Sequence, residues 1–398
     1  MNTMLKEIYV DENKLSKDDI TQHEIEALKT KFNLADAHTH QSQSPTQRNI
    51  IKDLPKLWYK AEKQTQYESE QEFIQTFYTF HGQHTALKRK EEIYLVYAAS
   101  IAMHITATYL KQKQLRVGLI EPCFDNLHDL MKHMEVPLSP LDESIFGETA
   151  SIYKRLSERT ENLDAIFVVD PNNPTGFSLF KDDAEAFREV VRFCKDHKKI
   201  LIMDFCFASF ILANGNQRHD AYEILEESGV DFIAMEDTGK TWPLQDAKCA
   251  TLMTSKSLND QVYPILTSVL LNVSPFILNV VTQYIKDSAT DNFSSVRNIL
   301  KKNRETARNY LHGKYLTYCD PEVETSVAWF KINIDGITAD TLHEHLLSKE
   351  IYVLPGKYFY WNDPEKGQKY IRIALARDHE MFEQAMVGLK YALETYNA

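Results

Sequence analysis

Residues 164–176 read DAIFVVDPNNPTG: an apolar run of strand formers closes on Asp170, and Pro, Asn and Gly follow at once, each favouring a turn for its own reason. An unbroken apolar run of this length, bounded by turn residues, marks a strand buried on both faces, as in a parallel sheet. Working outward, LRVGLIE at 115–121, KILIMDF at 199–205, DFIAMED at 231–237 and ATLMTS at 250–255 repeat the pattern, and amphipathic stretches such as DDAEAFREVVRFCKDH at 182–197 separate them. Strands alternating with helices predict βαβ units and a mostly parallel sheet, an α/β fold. A long helical stretch is expected from about Pro275 to Leu311, followed by AWFKINI at 328–334, YVLPG at 352–356 and YIRIALA at 370–376 with helices between. The expected organisation is an arm at 1–44, a large α/β domain at 89–289, and a small α+β domain built from 45–88 and 290–398.

The chain has 398 residues with 45 basic and 57 acidic side chains, so its formal net charge is −12. An acidic protein without a basic patch is a poor partner for nucleic acid or an anionic membrane surface. Its apolar stretches are too short for a transmembrane helix, and the opening MNTMLKEIYVDENK lacks the apolar core of a secretory signal. Five cysteines without metal-ligand spacing fit reduced thiols in a cytoplasm. Twelve glycines, about 3% against a usual ~7%, argue against a glycine-rich nucleotide loop.

Chemistry gathers at the carboxyl ends of the strands, where open α/β sheets bind ligands. PNNPTG at 171–176, Asp204 at the end of ILIMD and Lys240 in EDTGK all fall there. With VLPGKYF at 353–359 and YIRIALAR at 370–377, this ordered set resembles the fold-type-I pyridoxal-phosphate enzymes of the class I/II aminotransferase superfamily. The resemblance implies that Lys240 holds the cofactor as a Schiff base and removes the Cα proton, and that Asp204 keeps the pyridine nitrogen protonated. It further implies that Asn173 bonds the ring hydroxyl, Phe124 stacks on the ring, and Arg372 clamps the substrate carboxylate. Ala98-Ala99-Ser100 at a helix start, with Lys248, would receive the phosphate. Three positions depart from the general pattern. Phe207 stands where a tyrosine is usual, Lys248 where an arginine is usual, and Asp237 where a serine is usual. A carboxylate at 237 needs a cation, either Lys248 or the substrate.

Those departures, with TQHE at 21–24, NLADAHTHQSQSP at 33–45, LPKLW at 54–58, HGQH at 81–84, MEDTGKTWP at 235–243 and NVSPFIL at 272–278, resemble a narrower group. This is the pyridoxal-phosphate-dependent L-arginine oxidases and hydroxylases of enduracididine- and indolmycin-type pathways. By that resemblance the arm is a lid over the site, and Thr21, Glu24, Asp36 and His38 face the substrate. Thr21-x-x-Glu24 is also a capping box, a second reading of the same residues. Glu24, Asp36 and Asp237 are the candidates to accept the guanidinium of L-arginine, and His38 is the candidate acid/base. The implied reaction is oxidation of L-arginine by O2 through a quinonoid intermediate, without metal or flavin, in a homodimer. Its products would be 4,5-dehydro-2-iminoarginine and 2-ketoarginine, or 4-hydroxy-2-ketoarginine, with H2O2. The same core residues fit a conventional aminotransferase, and a non-catalytic regulator on this fold is a further alternative that Lys240 speaks against.

Overall fold

The computed structural model describes residues 19–396. Its centre is a seven-stranded sheet in the order 93–96, 250–254, 232–237, 200–204, 165–169, 117–121, 138–142. All neighbours run parallel except Ala250–Thr254, which is antiparallel to both Ile93–Val96 and Phe232–Asp237. The five-residue runs at 117–121, 165–169 and 200–204 are buried along their whole length, which explains why they read as continuous apolar text rather than as alternation. Helix Glu185–Asp196 buries Ala186, Phe187, Val190, Val191, Phe193 and Cys194 on one face, the three-and-four spacing of a helix laid on a sheet.

A second, antiparallel sheet takes the order 354–355, 370–374, 327–332, 316–319. Helices Ser294–Leu311 and His379–Thr395 pack on each other beside it. The arm is stitched to this part: Phe32 and Asn33 pair in parallel with Ile351 and Tyr352.

Three expectations change. The helical stretch from Pro275 to Leu311 is two helices, Pro275–Thr290 and Ser294–Leu311. Asn292 and Phe293 turn the chain at φ 51° and 61°, and the buried Phe293 ring is held between Phe80 and Trp242. Thr21 is not a helix cap. Asp19, in extended conformation, caps helix Ile20–Ala27 by accepting the Gln22 N–H at 2.7 Å, so Thr21 lies within the first turn. Finally, residues 45–88 were expected with the small domain, yet helices Pro45–Lys52, Leu54–Lys63 and Gln66–Phe80 all pack against Pro275–Thr290, an element of the expected large one. No helix among the described residues is long and apolar enough to cross a membrane.

Candidate active site

The carboxyl ends of the central strands, the start of helix Ala99–Gln112 and the arm line an open cleft whose empty space, open solvent included, is about 880 Å³. Thirteen residues singled out from the sequence line it: Thr21, Glu24, His38, Ala98, Ala99, Ser100, Phe124, Asn173, Asp204, Phe207, Asp237, Lys240 and Lys248. Asp36 and Arg372 stand directly behind that wall and bond to His38 and to Glu24 and Asn173 respectively.

Strand geometry places the first group. Asp204 ends its strand with a buried carboxylate whose Oδ1 accepts the Cys206 N–H at 2.8 Å. Burial pushes this carboxyl up to about 6, with the charge of Asp237 adding to the rise, while the hydrogen bonds from Cys206 and the charge of Lys240 oppose it. Asn173 is held because its loop is held. Gly176 has φ +72°, and a Cβ there would lie 2.4 Å from the Pro321 side chain, so only glycine closes PNNPTG against that neighbour. Beneath the loop, Glu143 Oε2 accepts from Thr175 Oγ1 at 2.6 Å and Asn172 Nδ2 at 2.7 Å.

The arm supplies the second group. His38 Nδ1 lies 2.6 Å from Asp36 Oδ1, and the His38 backbone N–H donates to the same oxygen at 2.9 Å. Asp36 Oδ2 takes His40 Nε2 at 2.5 Å. Burial opposes charge on Asp36, but the hydrogen bonds from both histidines and the charges of His38 and Lys240 hold its carboxyl far below the usual range. With an ionised acceptor on Nδ1, the proton of a neutral His38 belongs on that nitrogen, and Nε2 keeps its lone pair. Two amines lie against the ring: Lys240 Nζ is 3.2 Å from Nε2 and 3.4 Å from Nδ1, and Lys248 Nζ is 3.3 Å from Nε2. The arm backbone is fastened by Arg377, which donates to the carbonyls of Asn33 at 2.7 Å, His38 at 2.9 Å and Asp36.

Arg372 is fully buried. One terminal nitrogen donates to Asn173 Oδ1 at 3.2 Å, and the other to Glu24 Oε1 at 3.1 Å and the Ala35 carbonyl. Glu24 therefore sits on the arginine expected to take a substrate carboxylate. Of the two partners expected for Asp237, Lys248 does not bond to it. The Asp237 oxygens accept the backbone N–H groups of Gly239, two residues past it, at 2.7 Å and of Ala99, at the start of helix Ala99–Gln112, at 3.3 Å. Lys248 bonds to His38 and Asp246 instead.

These residues fit the pyridoxal phosphate that the sequence resemblance implies. An amine, a buried carboxylate, an amide and an aromatic ring share one cavity, and the start of a 14-residue helix opens on it beside Lys248, an arrangement suited to a phosphate. Gly239 makes room for that lysine, since a Cβ there would lie 2.6 Å from Lys248 Cδ. Reading the sequence missed His40, Arg377 and His23. Their signals were present: His40 shares the HTH triplet with His38, Arg377 closes YIRIALAR, and His23 lies inside TQHE. His23 joins Tyr352 and Tyr358 through both ring nitrogens, each at 2.7 Å.

A family model described as aminotransferase class I and II matches residues 31–389. Over 307 residues, 75% of each chain, the sequence is 23% identical to a putative aminotransferase, YugH, of Bacillus subtilis strain 168. It is 31% identical to MppP in a structure soaked with the product 2-ketoarginine, with a TM-score of 0.83 over 91% of this chain and 99% of that one. Aspartate aminotransferase from Thermus thermophilus with maleate shares the fold at a TM-score of 0.76 and 12% identity, covering 95% and 97% of the two chains.

Proposed function

The chain belongs to the class I and II aminotransferase family, a fold-type-I architecture, and on that premise we propose that it uses pyridoxal phosphate and O2 to oxidise L-arginine. The products are 4,5-dehydro-2-iminoarginine and 2-ketoarginine, or 4-hydroxy-2-ketoarginine, with H2O2. When bound, the cofactor supplies an electron sink for a carbanion at the substrate Cα. Lys240 holds it through the amine and, once released by substrate, carries the Cα proton. Asp204 keeps the proton on the ring nitrogen. Asn173 bonds the ring hydroxyl, Phe124 covers one ring face, and Ser100, the helix start and Lys248 take the phosphate. Arg372 takes the substrate carboxylate, while Glu24, Asp36 and Asp237, with Thr21 beside them, surround the guanidinium. The arm covers the site and excludes water, and His38 holds or delivers the proton that decides between release and hydration of the oxidised product.

The observation that carries this reading is the imidazole of His38, which an arm outside the sheet core holds 3.2 Å from Lys240 with Asp36 behind it. The likeness to MppP suggests the substrate class. Turnover of arginine under labelled oxygen and labelled water, followed by mass spectrometry and an oxygen electrode, tests the proposal. Oxygen uptake with a 2-ketoarginine or 4-hydroxy-2-ketoarginine product is expected. No uptake, with activity that depends on an added oxo acid, would instead establish an aminotransferase. We also propose a homodimer in the cytoplasm.

A further inference from the structure

We propose that Glu24 is a built-in competitor for the substrate carboxylate at Arg372, and that it makes the site select ligands carrying a cation as well as a carboxylate. The inference rests on the reading of Arg372 as the carboxylate clamp. A bidentate carboxylate needs two N–H groups of one guanidinium. Both terminal nitrogens of Arg372 already donate, to Asn173 on one side and to Glu24 and the Ala35 carbonyl on the other. Of these acceptors, Glu24 alone is charged, and its side chain also lines the cleft. Its helix, Ile20–Ala27, is anchored independently through His23 on Tyr352 and Tyr358, so the carboxylate can leave Arg372 without the helix leaving the protein.

What Glu24 meets on leaving determines the selectivity. Ligand-capable atoms of Glu24, Asp36 and His38 all lie within 4.8 Å of one another, so Glu24 already stands beside the Asp36 carboxylate. Asp36 is occupied by two histidines and Asp237 by two backbone N–H groups. A neutral amino acid that takes Arg372 thus leaves Glu24 largely buried, without its counter-charge and next to a like charge, which is costly. An amino acid with a guanidinium replaces the lost partner at the moment it removes it. Discrimination then comes from the penalty imposed on the wrong ligand as much as from contacts made to the right one.

Calorimetric titration of the holoenzyme under anaerobic conditions with L-norvaline, which keeps the carboxylate and lacks the cation, and with L-arginine tests this. In Glu24→Gln the amide fills the same space without charge. We expect norvaline to bind about threefold to tenfold more tightly than to the parent protein, and arginine at least about tenfold more weakly, the scale of a lost charged hydrogen bond. Should Glu24→Gln fail to fold, Glu24→Asp, which withdraws the carboxylate from Arg372, is expected to move norvaline in the same direction. The companion variant Arg372→Ala separates the two readings. If it abolishes norvaline binding while the Glu24 variants bind norvaline no better than the parent, the competition is overturned and the clamp stands. If norvaline affinity is unchanged in Arg372→Ala, the clamp falls and the competition with it. Because the readout is binding, the result holds whether or not arginine consumes oxygen.

Discussion

Asp36 and Glu143 show how different surroundings shift two buried carboxyls in opposite directions. Asp36 collects two imidazoles and keeps its charge despite burial, whereas Glu143 has only Thr175 and Asn172 as donors, and burial pushes it up to about 7, with Glu322 and Asp142 adding to the rise. A carboxyl raised in the folded state binds its proton there more tightly than in the unfolded chain. Its contribution to stability therefore falls as pH rises from the ordinary value of 4.5 toward 7, and the penalty is complete above that. Glu143→Gln, which can still accept both hydrogen bonds, should melt at the parent temperature near pH 4.5 and about 2 °C or more above it at pH 8. A difference that is the same at both pH values would refute the assignment. Asp36→Asn removes the charged acceptor behind His38. It should lower turnover roughly a hundredfold, the lower range for loss of acid/base assistance, while leaving the absorbance of the bound cofactor in place. Full turnover in that variant would mean that the Asp36–His38 pair takes no part in the chemistry.

Among elements, the arm is held by three kinds of contact: strand pairing of 32–33 with 351–352, His23 on two tyrosines, and the Arg377 guanidinium on three arm carbonyls. Burial lowers Arg377 to about 10, with Arg372 beside it acting in the same direction against Asp36 and Glu24, so the clamp stays cationic at neutral pH. Arg377→Lys keeps the charge and loses the fork. Trypsin should then cut at the exposed Lys29 and Lys31 roughly tenfold faster, and added arginine should slow the cleavage. If arginine changes nothing in either protein, the arm is not a lid. The lid was expected over 1–44, and its first 18 residues lie outside those described. The element-level patterns were legible because the central strands and the helix at 185–196 advertise their burial in the spacing of apolar residues. The turn at 292–293 was not, since φ > 0 at a phenylalanine is imposed by the aromatic neighbours that trap its ring.

For the molecule as a whole, the proposed homodimer is supported by large apolar side chains left in solvent: Trp58 at 54% exposure, Tyr59 at 60% and Leu271 at 92%, with Trp58 lying on Phe276 at 5.5 Å between ring centroids. Light scattering should return twice the chain mass, and Leu271→Glu with Trp58→Glu should halve it. A parent protein that runs as a monomer defeats this part of the proposal.

The sequence by itself determined that the chain would build a mostly parallel sheet with Asp204, Lys240 and PNNPTG at its carboxyl edge, since apolar runs and turn residues are local text. It also carried the resemblance that singled out the arm, because EDTGKTWP and HTHQSQSP are long, specific strings. Only the tertiary structure decided what each charge touches. Glu24 meets Arg372 across 348 positions, and His38 meets Lys240 across 202. Asp237 turns to backbone N–H groups instead of Lys248. Electrostatic partners are chosen by distance and burial, and neither is written in the order of residues along the chain.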